Sequence, residues 1–242
     1  MTKPKTSYIP TLATLGSLGA GFMAIALAVE DEPYLASLLI ISAVLLDSLD
    51  GALARMLGVG SDFGMQLDSL ADVISFGVAP AVVVGSLLPE PVVLSGWFVL
   101  AAFPICAAIR LARFNVSQTH SPSHDGFIGL ASTGAGACAA ATVLTHGVLV
   151  EHGINWGVGV LPWILLLLAF LMVSAFPYPH VGPLLGRLPT PTLVATVGVA
   201  VFVAAYWEYE VVFLVLFWVY AATGPVLAVH EKIKAFQEAQ SG

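Results

Sequence analysis

The chain has 242 residues, of which 58% are hydrophobic and only 10% charged, and its mean hydropathy is +0.94. A soluble domain carries about a quarter charged residues, so these values exclude an ordinary soluble enzyme and imply an integral membrane protein built from spans of about 20 residues. The formal charge of −7 reflects clustered carboxylates and acidic loops, and it makes no case for nucleic-acid binding.

The opening MTKPKTSYIP is short and basic, and the apolar run behind it lacks a small-residue cleavage site, so it reads as an uncleaved first helix. Eight apolar segments follow in order: 11–29, 34–53, 65–88, 92–112, 127–150, 156–176, 190–206 and 211–229. The expected fold class is therefore an all-α polytopic membrane protein of about eight transmembrane helices. There are no internal repeats and no separate soluble part, so residues 1–242 read as a single integral membrane domain. Cys106 and Cys138 lie inside apolar segments without metal-ligand spacing and read as small core residues. The six histidines are scattered and also lack that spacing.

The loops support the count. All 8 basic residues, Lys3, Lys5, Arg55, Arg110, Arg113, Arg187, Lys232 and Lys234, fall on one side of eight alternating spans. The opposite loops hold Glu30, Asp31, Glu32, Glu90, Glu151, Glu208 and Glu210 and no basic residue. Basic residues collect on the cytoplasmic side. Both termini are thus expected in the cytoplasm, in a multi-pass protein of the cytoplasmic membrane.

Four carboxylates, Asp47, Asp50, Asp68 and Asp72, lie at the junction of the second and third segments, next to strongly apolar runs. Carboxylates are costly there unless they hold a cation or do chemistry. Asp47 and Asp50 are three apart and Asp68 and Asp72 four apart, so each pair shares a helical face. Two helices joined by the short link 58–64 would aim all four at one point on the cytoplasmic side. That makes an oxygen-ligand cage of the kind Mg²⁺ or Mn²⁺ prefers.

The full pattern is Asp47-x2-Asp50-Gly51-x2-Ala54-Arg55-x8-Gly64-x3-Asp68-x3-Asp72. It resembles the signature of the CDP-alcohol phosphotransferase family. The resemblance implies a six-helix core, about residues 8–189, with extra C-terminal helices at about 190–229. It also implies a homodimer, and an enzyme that moves a phosphatidyl-type group from a CDP-linked lipid to an alcohol with release of CMP. In that reading Asp47, Asp50, Asp68 and Asp72 hold the metal, and Asp72 is also the general base toward the acceptor. Gly51, Ala54 and Gly64 are small where a nucleotide approaches the backbone. Arg55 pairs with a phosphate, and Ser61 hydrogen-bonds the nucleotide.

A second stretch, Arg110-Leu111-Ala112-Arg113-Phe114-Asn115, is expected to close the fourth helix. Arg110 and Arg113 share a face and suit an anionic acceptor or phosphate, though they equally suit topology anchoring. The stretch resembles a marker of the phosphatidylserine synthase branch, with Asn115 as part of it. Phe127-Ile128-Gly129-Leu130, expected to open the fifth helix, is similar to that branch, as are Met172-Val173-Ser174 with Tyr178-Pro179 at the close of the sixth and the entry Ile9-Pro10-Thr11-Leu12. The branch usually follows Gly-Leu with Pro, whereas Ala131-Ser132 stand here. The implied substrates are L-serine and CDP-diacylglycerol, or CDP-archaeol if the lipid is an archaeal ether. Glycerol phosphate or inositol phosphate would use the same paired arginines. A divalent-cation transporter is a more distant reading, because transport sites lie near the bilayer midplane between broken helices.

Overall fold

The computed structural model describes residues 8–57, 61–89, 94–120, 127–154, 156–178 and 209–241. The seventh apolar segment, 190–206, and Arg187 lie outside these residues. The elements are α1 (Tyr8–Val29), α2 (Pro33–Leu57), α3 (Asp62–Asp72), a π-helical turn (Val73–Val78), α4 (Ala79–Ser86), α5 (Leu94–His120), β1 (Phe127–Ile128), α6 (Ser132–Glu151), α7 (Leu161–Val173), β2 (Pro177–Tyr178) and α8 (Tyr209–Ser241). Among the described residues, six helices are long and apolar enough to cross a bilayer, with α3, the π turn and α4 counting as one. Apart from two short strands among the described residues, the protein is an all-α polytopic membrane protein. Outward side chains such as Phe22, Leu45, Phe98 and Ile105 stay exposed, as a lipid-facing surface requires.

Local sequence explains the element ends. Pro33 is the first residue of α2, where its missing N–H costs nothing. Ser61 caps α3: its Oγ accepts a hydrogen bond from the Gly64 N–H at 3.0 Å, and Asp62 in the first turn complements the helix dipole. The π turn ends just before Pro80. A proline has no N–H and its ring clashes with the carbonyl four residues back, which here is that of Phe76. The wider turn relieves this, and the Ala79 N–H reaches the Ile74 carbonyl instead.

Several segments depart from the sequence expectation. The third span begins at Asp62 rather than 65, because the Ser61 cap starts the helix before the apolar run does. The fourth does not close at Arg110–Asn115. It runs on to His120, so the arginines lie within α5. The fifth helix does not open at Phe127. Phe127 pairs with Tyr178 and Ile128 with Pro177 in an antiparallel strand pair, and α6 starts at Ser132. The sixth segment is shorter than a span of about 20 residues: it forms Val158–Val173, a 3-10 turn followed by the 13-residue α7.

The core is built from small residues at close helix contacts. Ser75 in the π turn donates from Oγ to the Ser17 carbonyl of α1 at 3.0 Å, and Ser17 donates to the Ala43 carbonyl of α2 at 3.2 Å. Gly21 of α1 packs directly on Ser75, and Gly136 of α6 on Phe76; both partners are fully buried. The strand pair extends this packing at the end of the bundle that carries the acids. Gly129, with φ of 82°, donates its N–H to the Phe176 carbonyl at 2.9 Å, and the Leu130 N–H reaches the Leu171 carbonyl at 3.0 Å. Tyr178 is buried against Gly224 of α8 and donates its hydroxyl to the Ala221 carbonyl at 2.9 Å. At the opposite end, the Tyr34 hydroxyl donates to the buried Glu210 of α8 at 2.6 Å and also bonds the Tyr209 hydroxyl.

A methyl group at position 21 would lie 2.4 Å from Ser75 Oγ and 2.6 Å from its Cα, whereas one at Gly147 meets nothing within 4 Å. Gly21→Ala is therefore expected to cost about 1–3 kcal/mol by overpacking. Gly147→Ala should be neutral or slightly stabilising, as alanine is the better helix former. Thermal unfolding in detergent checks the contrast.

Candidate metal and catalytic site

Helix α2 carries Asp47 and Asp50 on one face, and α3 carries Asp68 and Asp72. The fold brings Asp47, Asp50 and Asp68 together, with one carboxylate oxygen from each lying within 4.8 Å of the others. Asp50 is buried and the other two are half-buried. Three carboxylates this close repel one another in a poorly screened bundle. An oxygen donor set of this kind is a match for a hard divalent cation.

Hydroxyls from two other helices orient the trio. Thr14 of α1 donates to Asp50 Oδ2 at 2.7 Å, and Thr133 of α6 donates to Asp47 Oδ2 at 3.3 Å. Such outer partners fix the direction of ligand oxygens.

Asp72 lies beside the trio rather than within it. It is 6% exposed, and its charged neighbours are Asp47, Asp68 and Arg110. Its Oδ2 accepts a hydrogen bond from Ser132 Oγ at 3.2 Å. Arg110, itself 8% exposed, donates from Nη1 to the same Ser132 Oγ at 3.1 Å, and its guanidinium lies 5.5 Å from the centre of the Phe114 ring. A buried carboxylate and a buried guanidinium are thus joined through one serine.

The other residues of the α5 stretch reach different partners. Arg113 donates to the carbonyls of Ile128 at 3.1 Å and Val173 at 3.4 Å. A cation here suits the C-terminal end of α7 and fastens it to the strand pair. Asn115 donates from Nδ2 to Ser69 Oγ at 2.9 Å, tying α5 to the residue after Asp68.

Of the remaining sequence candidates, Ser61 is the α3 cap. Gly64 has its own explanation there, since a methyl group would lie 3.2 Å from Ser61 Oγ. Gly51 is half-buried within α2. The side chains of Ala54 and Arg55 lie outside the described residues. Thr14, Ser132 and Thr133 were not among the sequence candidates. The nearest signal for the last two is their place just after Gly129-Leu130.

A sequence model described as CDP-alcohol phosphatidyltransferase matches residues 7–173, which include every residue of this site. Curated relatives are named CDP-diacylglycerol–serine O-phosphatidyltransferase. That of Mycobacterium leprae is 38% identical over 154 residues, 61% of this chain and 49% of the relative. That of Bacillus subtilis is 32% identical over 174 residues, 72% of this chain and 91% of the relative. That of Helicobacter pylori (strain ATCC 700392 / 26695) is 37% identical over 175 residues, 71% of each chain. The matches thus span about half the length of the M. leprae relative but most of the B. subtilis one.

Asp50→Asn removes one carboxylate from the trio and is expected to abolish measurable Mn²⁺ binding by titration calorimetry. Thr14→Ala leaves the ligands in place and should weaken binding by roughly ten- to a hundredfold, the usual effect of losing an outer-shell partner.

Proposed function

The chain belongs to the CDP-alcohol phosphatidyltransferase family, and we propose that it transfers a phosphatidyl-type group from CDP-diacylglycerol, or from CDP-archaeol, to L-serine with release of CMP. The observation that carries this reading is the convergence of Asp47, Asp50 and Asp68, with Asp72 beside them, inside the region the family shares. Serine as the acceptor is supported by the names of the relatives.

The residues divide the work as follows. Asp47, Asp50 and Asp68 hold Mg²⁺ or Mn²⁺, and Asp72, beside the trio, is left to face the acceptor. When bound there, the ion supplies charge neutralisation for the pyrophosphate and polarisation of the phosphorus. Gly51 and Gly64 keep the backbone open to the nucleotide, and Arg55 pairs with a phosphate. The serine hydroxyl oxygen attacks the phosphorus that carries the lipid, the pyrophosphate P–O bond breaks with its electron pair leaving on CMP, and the hydroxyl proton passes to Asp72. Arg110 or Arg113 meets the serine carboxylate.

Purified protein supplied with CDP-diacylglycerol, Mn²⁺ or Mg²⁺ and labelled serine should release CMP and form labelled phosphatidylserine. Excess EDTA should abolish turnover. Competition by glycerol phosphate or inositol phosphate, with no product from serine, would reassign the acceptor. Asp72→Asn should lower turnover by about a hundredfold to ten-thousandfold, the usual worth of a general base, while CDP-lipid binding persists. Full activity in that variant would remove Asp72 from the role.

The proposal places the site on the cytoplasmic face of the cytoplasmic membrane, in a homodimer with eight spans per chain. Its support is the one-sided distribution of Lys and Arg; the homodimer rests on the family resemblance alone. A reporter fused after Gly242 should read cytoplasmic and one inserted at Glu90 external, and the reverse at either site would overturn the span count.

A further inference from the structure

Ser132 is fully buried between two buried ionisable groups. Its Oγ lies 3.1 Å from Arg110 Nη1 and 3.2 Å from Asp72 Oδ2. Donor accounting fixes the direction of both bonds. A guanidinium carries donors and no acceptor, so the hydroxyl must accept from Arg110. Its single proton is then left for Asp72.

The position of that hydroxyl is set from outside α6. Ser132 is the first residue of the helix, and the chain leading into it is tied down at three places: Arg113 on the Ile128 carbonyl, the Gly129 N–H on Phe176 and the Leu130 N–H on Leu171. The next residue, Thr133, turns to Asp47 instead. Two adjacent hydroxyls on one helix start therefore serve different carboxylates. Thr133 steadies a member of the trio, and Ser132 steadies Asp72.

We infer that Ser132 is a positioning residue for the transfer reaction: bridging to Arg110, it holds the Asp72 carboxyl in the orientation that receives the acceptor's proton. The inference rests on the serine-transfer reading proposed above. A carboxyl rotates readily about its terminal torsion. Without the serine, Asp72 keeps its place on α3 but loses the contact that fixes its plane.

The test measures steady-state kinetics, varying each substrate in turn, and Mn²⁺ binding by calorimetry on the same detergent-purified preparations. Ser132→Ala should lower kcat roughly ten- to a hundredfold, the scale of a small misplacement of a reacting group. It should leave the KM for CDP-diacylglycerol and the Mn²⁺ affinity unchanged. Ser132→Thr restores a hydroxyl on the same Cβ and should recover most of the lost kcat. Thr133→Ala should show the other signature, a weakened Mn²⁺ affinity. If Ser132→Ala fails to fold by its melting temperature, Ser132→Cys keeps the volume with a weak donor and should show the same split. A wild-type kcat in Ser132→Ala, or a loss of Mn²⁺ affinity in parallel with turnover, would overturn the inference alone. Absence of CMP release by the wild-type protein with every acceptor would overturn the underlying reading and the inference with it.

Discussion

Bringing three carboxylate oxygens within 4.8 Å of one another inside an apolar bundle is the constraint on which the rest of the structure depends. In water such charges would be screened; next to membrane-spanning helices they are not. The surrounding elements supply what bulk water would. Helices α1 and α6 each contribute a hydroxyl, from Thr14 and Thr133, and α5 brings a guanidinium to the fourth acid through Ser132. A divalent cation, when bound, would complete the balance. Three separate helices thus carry groups whose placement makes sense only in relation to α2 and α3.

The scaffold that holds these groups relies on close approach rather than bulk. Gly21 and Gly136 let α1 and α6 press on Ser75 and Phe76, and the Ser75 and Ser17 hydroxyls satisfy carbonyls across the contact. Interhelical contacts of small residues and hydroxyls are how helices associate in lipid, where burial of apolar side chains gives little driving force. The strand pair does related work at the site end, where the chain must turn from α5 into α6 and set down Ser132 at a defined point. Its backbone bonds fix the chain just before the start of α6.

The acids were legible in the sequence because their information is local. Spacings of three and four on a helix place carboxylates on one face whatever the tertiary context. Other features were not local. Hydropathy marks where the apolar stretch ends, not where the helix ends, so the sequence closes the fourth segment at 112 to 115 whereas α5 continues to His120. The strand pair joins residues about fifty positions apart, and the Phe127 stretch alone resembles a helix entry. The orienting hydroxyls were hidden for a different reason. Ser42, Ser48 and Thr142 all bond the carbonyl four residues back, the usual resting place of a hydroxyl on an apolar helix. Nothing near Thr14 or Thr133 in the chain separates them from those, since their carboxylate partners are 36 and 86 residues away.

The π turn at Val73–Val78 has a consequence for how the third span behaves as a mechanical part. A turn that holds more residues than an α turn puts the helix on either side of it out of phase. The face that α3 offers to the acids and the face that α4 offers to α1 and α5 are therefore set independently, although one continuous rod carries both. The polar half answers to ligand geometry and the apolar half to the packing of neighbours such as Trp97 and Leu100 around Gly85. The widened turn acts as a phase coupling between them. Because Pro80 holds that coupling in place, the helix cannot regain regular winding and so cannot trade the register of one half for the comfort of the other.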